Sequence, residues 1–139
     1  MKYQELTGFI EQFYLNPIRE TYQYADVDEG YMADKRMIFS PVVSEFSEAV
    51  MAFVADNPDM DLYDYDSIIS GASKGRRITA AEAAEKEYLK ELDGRTVCAW
   101  IVSTVRAEMF REGILYDCIR KGYVMAWLRR LAELDEEEL

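Results

Sequence analysis

The sequence predicts an all-α, single-domain protein: six to seven short helices packed around one buried helix at about residues 95–111. Three observations predict it. Apolar residues recur at i, i+3, i+4 and i+7 along most of the chain. Cap and stop residues fall at most boundaries between those stripes. The stretch Val97 to Val102 is apolar all round, a pattern a helix sustains when others surround it. A chain of 139 residues is one domain and buries roughly two thirds of its unfolded surface, so it folds without a metal or disulfide.

Each element has its own signal. Tyr3, Leu6, Phe9, Ile10, Phe13 and Tyr14 put one apolar stripe on a first helix. Asn16-Pro17 reads as a cap followed by proline at the first helical position, which starts a short second helix to about Tyr24. Asp28-Glu29-Gly30 reads as a turn. Tyr31 to Phe39 shows no clear period and is expected to be an irregular or small β element. Ser40-Pro41 restarts the helix, Val42, Phe46, Ala49, Val50 and Phe53 give it a face, and Asn57-Pro58 stops it. Leu62, Tyr65, Ile68 and Ile69 form another short helix before the small-residue basic loop of residues 70–77. Thr79 and Glu82 form a capping box, in which the threonine oxygen accepts from the Glu82 N–H while the glutamate reaches back. Ala81, Ala84, Tyr88 and Leu92 carry that helix on to Asp93-Gly94.

The central segment begins at Thr96. Its β-branched residues also suit a buried strand, but the pattern runs past strand length and favours a helix. Ile114, Leu115, Cys118 and Ile119 continue helically to Gly122, a glycine placed to follow a helix C-terminus. Val124, Trp127, Leu128 and Leu131 form the last stripe. The acidic residues beyond it sit where the helix dipole disfavours negative charge, so residues 134–139 are expected to fray.

Composition removes much chemistry. The formal net charge is −11 and histidine is absent. Histidine-dependent nucleophile arrangements, histidine acid–base work and histidine-ligated zinc are therefore excluded. Two cysteines, Cys98 and Cys118, cannot supply four thiolates to a zinc ion. Both lie in apolar helical patterns, as reduced buried thiols do. The N-terminus has no apolar signal-peptide core, and no run is long enough to span a bilayer. The expectation is a cytoplasmic protein with no cofactor and no membrane contact.

The charge is uneven. Residues 40–73 hold 7 acidic and no basic side chains. Direct binding to a phosphate backbone is disfavoured, because it needs clustered Lys and Arg. The aspartates from Asp56 to Asp66 lack the spacing and the glycine of a calcium loop. Lys74, Arg76 and Arg77 lie before a helix start but form no P-loop. Within the acidic run, Tyr63, Asp64, Tyr65 and Asp66 set rings beside carboxylates, a surface suited to a cationic partner. Tyr22, Tyr24 and Tyr31 add amphipathic rings of the kind favoured at interfaces. Glu108 and Glu112, at i and i+4 beside Arg106 and Arg111, are better read as ion-paired than as an acid–base pair.

The stretch Arg106 to Leu115, then Lys121-Gly122, then Trp127 to Leu131, resembles a family of small uncharacterised bacterial proteins classed as a domain of unknown function. Its tail reads R-x-E-R-F-x-x-G-x-L, and it carries a tyrosine–aspartate–tyrosine segment matched by Tyr63 to Tyr65. The resemblance covers about residues 41–133 and departs at Met109, where the family has a second arginine. It implies a bacterial or mobile-element origin and brings no activity, cofactor or catalytic residue. Physically, Phe110 is expected to anchor in the core and Gly113 to break or kink the helix. Arg106 and Glu108 face different ways and need separate partners, Asp64 or Asp66 being an acid that Arg106 is expected to reach. The function these features favour is a non-enzymatic protein-interaction module with an unidentified protein partner. The alternatives are an acidic mimic of nucleic acid that occupies a basic cleft, and a small carboxylate-using enzyme.

Overall fold

The computed structural model describes residues 2–15, 21–24, 35–38 and 41–137. It is a small, mainly α domain. Helices α1 (Gln4–Thr7) and α2 (Phe9–Leu15) lead into two short strands, β1 (Thr21–Tyr24) and β2 (Lys35–Ile38). The strands pair antiparallel, with Thr21 opposite Ile38 and Tyr24 opposite Lys35. Over Thr21–Tyr24, the end of the second helix expected there, the chain is extended instead. Thr21, Tyr22 and Tyr24 are β-branched or aromatic, types that favour a pleated surface. The expected Asn16-Pro17 cap, the Asp28–Gly30 turn, Tyr31, and the side chains of Tyr22 and Tyr24 lie outside the described residues.

Helix α3 (Pro41–Asp56) follows, then two single 3₁₀ turns at Pro58–Met60 and Leu62–Asp64, then α4 (Tyr65–Ala72). The capping box is present, with the Glu82 N–H donating to Thr79 Oγ1 at 3.2 Å. The helix it opens is shorter than the periodicity implies. It splits into α5 (Ala80–Ala83) and α6 (Lys86–Leu89), because Glu85 is extended at ψ 134°. The first apolar stripe is likewise divided at Gly8, so the helices are more numerous and shorter than the six to seven expected.

Helix α7 (Gly94–Ala107) is the axis of the domain, and ten of its 14 residues are buried. Asp93 caps it by accepting from the Thr96 N–H at 2.9 Å. Helix α4 and α9 (Tyr123–Glu137) pack along it, with α3 and α8 (Ile114–Arg120) beside them. Trp100 stacks on Trp127 with ring centres 5.9 Å apart, while Phe9 and Phe13 meet Phe46 edge-on. Gly122, at φ 87°, separates α8 from α9. Among the described residues no helix is long and apolar enough to cross a membrane.

The acidic end of the chain does not fray where it is described. Helix α9 runs to Glu137, and Asp135 is only 3% exposed. Its carboxylate accepts the Tyr3 N–H at 3.1 Å, a donor with no partner inside its own helix. This contact between the two ends of the chain outweighs the dipole penalty. Gly94 serves the same junction: a Cβ there would overlap the Tyr3 hydroxyl.

Candidate functional site

Residues 58–66 form a turn whose alternate side chains divide between core and solvent. Pro58 starts the first 3₁₀ turn, and Asp61 takes the left-handed conformation that short polar residues tolerate. Met60 and Leu62 are buried and pin the turn to the core, and Arg95 Nε donates to the Met60 carbonyl at 2.8 Å. What remains outside is acidic and aromatic. Asp59, Asp61, Asp64 and Asp66 are exposed, and Tyr63 is 61% exposed. Tyr65 is only partly so, since its ring packs on the core.

None of these aspartates caps a helix. Asp61 and Asp64 stand at N-cap positions without a side-chain cap bond. Among the described residues the four carboxylates make no hydrogen bond and no ion pair. Nor, among the described residues, are any three acidic or thiol side chains grouped to hold a cation. The turn therefore presents exposed carboxylates with no protein partner among the described residues, beside one projecting ring.

The Arg106–Leu115 motif has a different character. After α7 ends at Ala107 the chain turns, and Glu108 folds forward over the turn. The Gly113 N–H donates to Glu108 Oε1 and the Leu115 N–H to Oε2, both at 2.9 Å. Gly113 stands at φ 95°, a conformation that favours glycine, and it opens α8 rather than breaking α7, which has already ended at Ala107. Glu108 thus caps α8, while Leu115 fills the core. Among the described residues Arg106 forms no ion pair with Asp64 or Asp66, so the structure does not join the two candidate segments.

Phe110 corrects the sequence reading most sharply. Expected in the core, it is 85% exposed, and Met109 beside it is 69% exposed. The apolar register of α7 was projected past the point where the helix stops. Leu115 occupies the inward position after the turn instead.

Both cysteines are buried and free. Burial pushes the Cys98 thiol up to about 12 and raises that of Cys118 as well. At the end of α8, hydrogen bonds from Arg120 and then Lys121 hold the Asp117 carboxyl below the usual range. Sequence reasoning missed three structural polar groups: Glu108 as a cap, Asp135 as the partner of Tyr3, and Arg130. Arg130 Nη2 donates to the carbonyls of Lys90 and Leu92 at 3.2 and 3.3 Å, clasping the end of α6 to α9. A glutamate five residues before a glycine was a readable sign of the first. The others pair residues far apart in the chain.

The chain belongs to a family of unknown function, DUF6508, whose profile matches residues 2–137. No curated protein and no solved structure matches it.

Proposed function

We propose that this member of DUF6508 is a non-enzymatic protein-interaction module and that it binds through the acidic aromatic turn of residues 59–66. One observation carries the reading: four exposed carboxylates and the Tyr63 ring are held on a pinned turn and used by nothing else among the described residues. The buried anchors Met60 and Leu62 fix the turn before any partner arrives, which lowers the ordering cost of association. The partner that fits is a protein surface rich in Arg and Lys with a recess for one ring. Cation–π contact and charge pairing would then act together. The proposal includes a bacterial, cytoplasmic setting, in keeping with two unpaired buried thiols.

The test is comparative affinity capture from a bacterial host, using the parent chain and a variant with Tyr63→Ala, Asp61→Asn and Asp64→Asn. All three positions are exposed, so the variant should fold. A protein retained by the parent, released by salt and absent with the variant is the expected result. Equal capture by both overturns the reading. So does a partner lost only on substituting Met109 and Phe110.

A further inference from the structure

Between α6 and α9 lies a cavity of about 360 Å³. Part of its lining is aliphatic, from Ala84, Leu89 and Ala126. The rest is cationic: Lys86, Lys90, Arg129 and Arg130 face a single lining carboxylate, Glu133. In a chain of net charge −11, four basic side chains around one small cavity stand against the overall balance.

The fold does not use all of them. Arg130 is the clasp described above, and its Nη1 also approaches Glu133 at 3.4 Å. Its Nε is buried within the clasp and has no acceptor among the described residues. Lys90 pairs with Glu87 at the exposed rim. Lys86 and Arg129 are exposed and form no ion pair among the described residues. Neither takes part in the clasp, which Arg130 makes, and the neighbouring helix α5 is tied to α9 separately by Trp127 Nε1, which donates to the Ala83 carbonyl at 3.2 Å.

We propose that this cavity binds a small organic oxyanion, a phosphate or carboxylate carried on a compact apolar body. The charged head sits between Lys86 and Arg129, and the body lies against Leu89 and Ala126. The volume is at the low end of small-molecule sites. A nucleic acid would need a basic stripe along an extended groove rather than one recess. This site shares no residue with the acidic turn, so either proposal can fail alone.

The test is an NMR titration of the full ¹⁵N-labelled chain with phenyl phosphate, benzoate and inorganic phosphate. Saturable shifts centred on Leu89, Lys90, Ala126 and Arg130 are expected, with an aryl ligand binding more tightly than inorganic phosphate. Whether phenyl phosphate or benzoate binds better identifies the head group. The variant with Lys86→Gln and Arg129→Gln, both exposed, should melt like the parent and bind about tenfold more weakly or worse. No saturable shift at millimolar ligand overturns the proposal. Equal binding by the double variant overturns it too, as do identical shifts from sodium chloride.

Discussion

Replacing Glu108 with alanine removes two hydrogen bonds at once, because each carboxylate oxygen takes one backbone N–H at 2.9 Å. Bonds to a charged acceptor each contribute about 1.5–3 kcal/mol when well shielded. Glu108 is half-buried, so water recovers part of the loss at Gly113 and Leu115. The expected cost is about 2–3 kcal/mol, just above the range of a helix N-cap. For a domain of this size that lowers Tm by roughly 6–15 °C. Glu108→Gln keeps one oxygen acceptor and should lose about half as much. Thermal unfolding followed by far-ultraviolet circular dichroism reads both, with the exposed neighbour Glu112→Ala as a control that stays within about 0.5 kcal/mol of the parent. An alanine variant at position 108 that melts with the parent would falsify the cap and return Glu108 to the surface-binding candidates.

Gly94→Ala should cost about 1–3 kcal/mol through overlap with Tyr3, and Tyr3→Phe should relieve part of it. A double-mutant cycle with coupling below about 0.5 kcal/mol would show that the two do not meet. Cys98 sets a loss of stability in alkali. Between its ordinary value of 9.0 and about 12, the unfolded chain gives up the thiol proton while the folded chain keeps it. Stability therefore falls as pH rises, by about 1.4 kcal/mol per unit from this group. Denaturant melts of parent and Cys98→Ala should diverge above pH 9, and parallel curves would remove the buried-thiol account. Asp117 works in acid with the opposite sense. Its folded pKa is depressed, so its contribution is present above the ordinary value of 3.8 and is lost as pH falls through the folded one. The gap between parent and Asp117→Asn should be constant at neutral pH and close below about pH 4. A gap that persists into strong acid would exclude those ion pairs as its source.

The features legible in the sequence are those written within a few residues. Thr79 and Glu82 announced their box, Pro41 and Asn57 bracketed α3, and Gly122 marked the break before α9. The all-round apolar run from Val97 to Val102 identified the central helix, since only burial on every side explains it. The failures share a cause. Glu85 and Phe110 were read by extending a period past a turn that the period does not encode. Asp135 was judged by the nearby helix dipole, whereas its fate is set by Tyr3 at the other end of the chain. Of the candidate site, the exposed turn of residues 59–66 was visible as an uncompensated acidic run. The cavity between α6 and α9 was not, because its cations are about 40 residues apart in sequence.

The distribution of polar partners bears on where function can lie. Glu108, Asp135 and the two Nη groups of Arg130 are all engaged, mostly by backbone atoms of other elements. Such groups hold the fold, and substituting them disturbs binding only by disturbing the fold. In the stretch from Arg106 to Leu115, the glutamate and the glycine build a turn and a cap. Those two residues hold the scaffold. Among the described residues, the exposed charges without an ion pair include Asp59, Asp61, Asp64 and Asp66 on the segment that carries Tyr63, and Lys86 and Arg129 on another. Placing a carboxylate or ammonium in water without a partner costs the fold nothing, so stability alone does not select its position. Substitutions at the first set of residues should alter association while leaving Tm unchanged, and substitutions at Glu108 or Asp135 should do the reverse. That separation, measured on the same variants by melting and by capture, distinguishes the scaffold from the surface that acts.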